Sequence, residues 1–360
     1  MRGVRGNSHP YRDPQVANLP HKKSSQAGKI LICSSTKKSL QQAKKILMCS
    51  SAKDGWRLQL CVPRCMLILL LATSFAGAAN GPVAVDAGQL LEQKQAAKIK
   101  AIDDSLDGVL GVATIDLTTG RVFTYHADAV FPTASSIKIP IMIQVFRDVR
   151  AGKISFAEKI TMGPKDNAGG SGGPLQKALD RGPVTITVRD LVEDMIQYSD
   201  NSATNKLIDL VGMNRVNALI RELGLEQTRL RRKMMDTAAA ARGDENVSTP
   251  LEMARIVRLI YSNQAADPES CRDMLNIMKR VDAYMRPMIP DNIEVASKPG
   301  DLDGVRTETG VVFLPKRPFI ISVMSTYLDD RVNPVGKVTA VVFDFFNKLA
   351  HANQYGRRLD

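Results

Sequence analysis

Three short stretches carry residues whose types and spacing suit nucleophilic chemistry. The first is Phe131-Pro132-Thr133-Ala134-Ser135-Ser136-Ile137-Lys138-Ile139-Pro140. Its polar, turn-forming lead-in runs straight into an apolar helical pattern over residues 139–149. Ser135 therefore falls at or near a helix N-terminus, and Lys138, three residues on, shares its face. A serine hydroxyl is a poor nucleophile at neutral pH and needs a base. A lysine desolvated beside it supplies one if its pKa falls. The helix start adds N–H donors and partial positive charge where an oxyanion would form. The second stretch is Ser199-Asp200-Asn201, between two helical patterns, and the third is Lys298-Pro299-Gly300, at the end of a β-type run. Each also fits a plain structural role when taken alone: an N-cap serine with a surface lysine, a capping turn, and a turn with a surface lysine.

The elements that must position these residues follow from periodicity. A helix is expected over residues 88–106, then strands 108–116 and 122–126 joined by Thr118-Thr119-Gly120, a hairpin signal. A helix from Ser135 to about Arg150 precedes the Gly-rich loop 169–173. The middle is mostly helical, with patterns at 188–195, 202–211, 213–223, 250–263 and 268–281. Three β-rich runs, 293–297, 306–314 and 319–326, precede a last helix over 333–351. Strands at both ends and helices between predict an α+β fold, an antiparallel sheet built from both chain ends and packed against the helical middle.

Charge narrows the function. The chain has 360 residues and a net charge of +12. Residues 1–65 hold 13 Lys/Arg against 2 Asp/Glu, while the rest holds 36 against 35. The basic excess is thus confined to the first 65 residues, and the remainder has no footprint for nucleic acid. Residues 1–65 show no sustained periodicity and read as a basic, disordered leader or as a start assigned too early, with Met48 and Met66 as later starts; a tail for an acidic partner is the other reading. Residues 66–78 read as a signal-peptide apolar region and cleavage site: Met66-Leu-Ile-Leu-Leu-Leu-Ala-Thr-Ser-Phe, then Ala76-Gly77-Ala78. A short buried helix or an uncleaved anchor is the alternative there. The expected products are export to the periplasm or medium, no stable membrane anchor, and one mature domain over 79–360.

Cys33, Cys49, Cys61 and Cys65 precede that cleavage site and only Cys271 follows it, so the mature chain has no internal disulfide to form. Cys271 reads as a small buried hydrophobe. The mature chain has two histidines, His126 and His351, both at element ends, so a histidine triad is not expected. No Cys/His/carboxylate cluster has zinc spacing, and neither a metal nor a cofactor is expected.

Taken together, Ser-x-x-Lys, Ser-Asp-Asn and Lys-x-Gly in this order resemble the elements of class A β-lactamases and penicillin-binding proteins. The stretches 170–176 (Gly-Ser-Gly-Gly-Pro-Leu-Gln), 187–191 (Thr-Val-Arg-Asp-Leu) and 199–205 (Ser-Asp-Asn-Ser-Ala-Thr-Asn) are similar to class A segments as well. The likeness covers residues 85–352. It implies that Ser135 is the acylated nucleophile and that Lys138 helps deprotonate it. Ser199 would pass a proton to the leaving nitrogen, Asn201 would hold a substrate carbonyl, and Lys298 would orient the substrate carboxylate. Gly300 belongs to the substrate-binding edge, and the N–H groups of Ser135 and Asp301 would form the oxyanion hole. The implied substrate is a β-lactam or a peptidoglycan-like molecule, and a monomer is expected.

The departures from the family pattern concern one step. Class A enzymes carry a glutamate in the Ω loop after Thr-Arg-Leu, and four residues later an asparagine. Here, after Thr228-Arg229-Leu230, Met234 and Ala238 fall at those positions. Asp236 is the nearest carboxylate and the candidate deacylation base; Glu245 lies further on. Pro299 replaces the hydroxyl residue usual before the third-motif glycine, and a proline inside a strand fits an edge position. The expectation is a serine hydrolase that acylates faster than it deacylates. The alternatives are a peptidoglycan DD-peptidase or amidase, and a penicillin-binding protein that sequesters its ligand.

Overall fold

The computed structural model describes residues 86–359, which belong to one compact unit. The leader, the apolar stretch and the cleavage site lie outside the described residues.

A five-stranded antiparallel sheet divides this unit into layers. Its strands are β1 (Val109–Asp116), β2 (Val122–Tyr125), β7 (Val295–Leu302), β8 (Val305–Val312) and β9 (Phe319–Thr326), in the order β2-β1-β9-β8-β7. Strands from both ends of the chain thus meet in one sheet, as the element order predicts. The turn into β2 is set locally: Asp116 accepts the N–H groups of Thr118 and Thr119, and Gly120 takes φ +77°. Lys298-Pro299-Gly300 lies within β7, not after it. Pro299 is tolerated there because β7 is an edge strand.

Side chains alternate along β1, so each face of the sheet has its own core. Ala113 and Ile115 join the larger cluster with the helical middle. That middle comprises α2 (Lys138–Arg150), α4 (Val188–Gln197), α5 (Asn201–Val211), α6 (Met213–Glu222), α8 (Pro250–Tyr261) and α9 (Pro268–Met278). Leu110 and Val112 point the other way, toward α1 (Ala87–Asp103) and α10 (Val335–Ala350). Phe319 stacks on Phe346 there, ring centroids 4.2 Å apart. Helix α2 is buried from Lys138 through Phe146, the pattern of a central helix packed on every side.

Sequence periodicity misses the shortest pieces. They are β3 (Phe131–Pro132) with β6 (Val247–Ser248), β4 (Lys159–Met162) with β5 (Val184–Thr187), and the one- to two-turn helices α3 (Pro174–Leu179) and α7 (Thr237–Ala241). Two to six residues are too few to show a period. Cys271 is buried with its thiol against the Ala266 carbonyl, and burial pushes that thiol up. The two described histidines are satisfied through Nδ1, His126 at the Leu110 carbonyl and His351 at the Asn347 carbonyl. No described helix is long and apolar enough to cross a membrane.

Candidate active site

The first motif does not open an α-helix at Ser135. Residues Ala134–Ile137 form a 3₁₀ turn, and α2 begins at Lys138. In a 3₁₀ turn, residues three apart eclipse, so Ser135 and Lys138 still share a side. The turn is held in an uncommon conformation: Ala134 has φ +47° although it is not glycine. The clamp that holds it comes from β7 and β8. Thr307 donates its hydroxyl to the Thr133 carbonyl at 3.1 Å, and the Ser136 hydroxyl meets Thr307 Oγ1 at 2.8 Å and the Lys298 carbonyl at 3.3 Å. Gly300 is required for this approach, because a Cβ there would sit 2.6 Å from the Thr133 carbonyl oxygen. The two adjacent serines are thereby separated in role. Ser136 is fully buried and hydrogen-bonded, whereas Ser135 is partly exposed beside the edge strand.

The second and third motifs converge on one hydroxyl. Ser199 Oγ lies 3.1 Å from Lys138 Nζ and 3.0 Å from Lys298 Nζ. Lys138 also donates to the Ser199 carbonyl at 2.6 Å and to Asn201 Oδ1 at 2.9 Å. Ser199 takes φ +56°, a second uncommon backbone at the same site. Asp200 caps α5 through the Ala203 N–H, and its other oxygen takes the Gln176 N–H at 3.2 Å, which ties the 170–176 segment to the motif. The turn caps α5 and brings Ser199 to both lysines at once. Asn201 donates its amide to the Gly169 carbonyl at 3.0 Å.

Both lysines are completely buried, and burial dominates their titration. It holds Lys138 well below the usual lysine range; the neighbouring Lys298 adds to this and Asp200 partly opposes it. Burial also lowers Lys298, to about 7, against the pull of Glu308. Glu308 is buried opposite Pro299, where burial pushes its carboxyl up to about 7; Ser297 Oγ donates to it at 2.6 Å and the Met285 N–H at 2.9 Å. Such an arrangement offers one amine whose burial favours the neutral form and a second that can still be charged. Asp301, next on β7, has its carboxylate held by the Tyr284 hydroxyl at 2.5 Å and by Arg306 at 3.1 Å.

The loop after Leu230 is pinned at the position where sequence reasoning finds no glutamate. Asn205 Oδ1 accepts the Met234 N–H at 2.8 Å, and Asn205 Nδ2 donates to the Met234 carbonyl at 3.1 Å. The Met234 side chain is buried in the main core, while Ala238 is exposed. Met235, at φ +62°, lies against the Gly-rich loop: a Cβ on Gly170 would be 2.6 Å from its sulfur. Asp236 is exposed and caps α7 with one oxygen, at 2.9 Å from the Ala239 N–H. Glu245 is paired with Arg232 at 2.7 Å. Asn205, Glu308 and the Thr133–Ser136–Thr307 clamp escape a reading by motif. Asn205 is visible in sequence only as the last residue of the 199–205 stretch. Among the described residues no group of three or more His, Cys, Asp or Glu is placed to hold a metal ion.

This fold and this serine–lysine site define a class. The model of the Beta-lactamase enzyme family matches residues 94–346, and the chain belongs to that family. It is 29% identical over 247 residues to Beta-lactamase 1 of Streptomyces cacaoi, covering 63% of this chain and 75% of that protein. A β-lactamase from Sphaerobacter thermophilus superposes with a TM-score of 0.65 and 31% identity, over 71% of this chain and 97% of its own. PBP-A superposes with a TM-score of 0.64 and 26% identity, over 72% and 96%; a leucine-to-glutamate variant of it was solved as an acyl-enzyme with penicillin G. Class A β-lactamases share the fold. The protein is a serine β-lactamase-like hydrolase.

Proposed function

We propose that the protein opens β-lactam rings through an acyl-enzyme on Ser135 and releases that acyl group slowly. One observation carries the reading: the Ser199 hydroxyl sits between two buried amines, 3.1 and 3.0 Å away, beside the clamped Ser135 turn. Neutral Lys138 takes the Ser135 proton as Oγ bonds to the lactam carbon. The N–H groups of Ser135 and Asp301 receive the oxyanion. The C–N bond then breaks, and the nitrogen takes the Ser199 proton, which the lysines replace. Asn201 and Gly300 position the substrate, and Lys298 attracts its carboxylate. Release needs a base to deprotonate water, and Met234 supplies none. Neutral Lys138 and the free oxygen of Asp236 are the remaining groups for that step.

The likeness to PBP-A favours a second reading, in which the natural substrate is a peptidoglycan stem or the acyl-enzyme is the end point. Intact-mass measurement after mixing with benzylpenicillin tests the proposal. An adduct that persists for minutes and then decays is expected; a permanent adduct supports the sequestering reading, and no adduct overturns the assignment.

The titration of the two lysines sets a pH profile. Lys138 must be neutral to act, so kcat/KM for acylation falls toward acid pH as it gains a proton. Lys298 must be charged to hold a carboxylate, so kcat/KM falls again as pH rises through about 7 and its proton is lost. Lys298→Arg should move the alkaline limb upward by about 2 pH units or more, because a guanidinium stays charged. An alkaline limb that is flat in the wild type removes this role from Lys298.

Export with cleavage after Ala78 belongs to the same proposal. It rests on the apolar run 66–75 and on Ala76-Gly77-Ala78. N-terminal sequencing of the exported fraction should return Ala79; full-length protein retained in the cytosol counts decisively against it.

A further inference from the structure

The sheet face remote from the serine site carries a cavity of about 490 Å³ between α1 and the β1–β2 pair. Its walls include Val112 and Phe123, and a salt bridge, Arg121 to Glu92 at 2.6 Å, stands at its more exposed side. Two polar side chains on its lining have no partner among the described residues, Gln95 Nε2 and Thr114 Oγ1. Gln95 is 5% exposed and Thr114 1%. Thr114 follows Leu110 and Val112 on the same side of β1, and the buried Asp116 ends that row. Gln95 comes down from α1 onto that row. Buried polar atoms are nearly always paired, and leaving them unpaired is costly. Two such atoms on one cavity wall mark a place built to meet a polar group.

We infer that this cavity is a second binding site, separate from the serine site, for a small neutral ligand with an apolar body and an amide-like head. A carbonyl would accept from Gln95 Nε2, an N–H or O–H would meet Thr114 Oγ1, and the apolar body would lie on Val112 and Phe123. The volume falls within the range of small-molecule pockets. The one ion pair on the lining joins opposite charges, Arg121 to Glu92, so the entrance carries no net charge to select an anion.

Benzamide is the probe, with toluene and benzoate beside it, titrated into the isotope-labelled full chain and followed by NMR. Benzamide should move the Gln95 side-chain amide and the Thr114 backbone signal and bind more tightly than either control. Gln95→Leu and Thr114→Val should each weaken it about tenfold, the effect of one hydrogen bond lost, and leave toluene unchanged. Where either variant fails to fold, Ala96→Trp, which fills the cavity from an exposed position on α1, must abolish the benzamide shifts. Toluene binding as tightly as benzamide overturns the inference, as does no binding at all. A crystal structure in which waters stay on Gln95 Nε2 and Thr114 Oγ1 at saturating benzamide overturns it too.

Discussion

Ser135→Ala abolishes covalent labelling by a fluorescent penicillin, with the acylation rate falling by about 10⁶-fold, the scale seen when a serine hydrolase loses its nucleophile. The unfolding midpoint should move little, by about 2 °C or less, since a truncation that breaks no core packing or buried network costs within about 0.5 kcal/mol. The hydroxyls that lock the turn belong to Ser136 and Thr307 instead. The neighbouring serine is therefore the informative control. Ser136→Ala removes bonds to Thr307 and to the Lys298 carbonyl, so it should lower stability by about 1–3 kcal/mol and keep labelling. Labelling that survives in Ser135→Ala and disappears in Ser136→Ala would reverse the two roles.

Met234→Glu accelerates the slow phase of penicillin turnover by about 10²–10⁴-fold, the usual worth of a positioned general base. Asn205 holds both backbone groups of residue 234, so the new carboxylate enters a loop already on a fixed path. Two features temper the gain. Ala238 offers no second partner for the water, and residue 234 is 8% exposed, so an ionised carboxylate there costs more stability than the ~1–3 kcal/mol of a neutral polar group. Burst and steady-state phases with a chromogenic cephalosporin separate the steps. The burst should stay close to one equivalent while the later phase quickens. Adding Asn205→Ala should remove most of the gain. A single variant whose slow phase does not change, in a protein that remains folded, sinks the account of the loop.

Much of this candidate site can be read from residues, because its parts are local. Ser135 and Lys138 are three residues apart, and Asp200 caps the helix that its own type predicts. The ends of the sheet's strands are less legible. A reading by β propensity stops at Ser297, because Lys-Pro-Gly resembles a turn, yet β7 runs on to Leu302. The edge position lets Pro299 stay, and the approach of Thr133 makes Gly300 necessary; both are tertiary facts. Glu308 is illegible for a similar reason. Its neighbours in sequence are threonines on a strand, and only folding buries it beside Lys298 with Ser297 and Met285 as donors. The hydrogen bonds from Asn205 to Met234 span 29 residues, too far for any spacing rule.

The joining of both chain ends in one sheet bears on the order of synthesis. Strand β1 pairs with β9 along its whole length, Leu110 facing Ser325, more than 200 residues later. At ~5–20 residues per second, the ribosome takes roughly 10–40 s to deliver that partner. Until then β1 presents an unpaired apolar edge, and neither core can close on it. Such distant pairings fold slowly. A nascent chain of this topology cannot lock its sheet before its last strand is made, and that delay keeps it threadable. For a protein proposed to be exported, the interval leaves time to leave the cytoplasm before the sheet closes, and holding that open edge away from other chains becomes the work of chaperones.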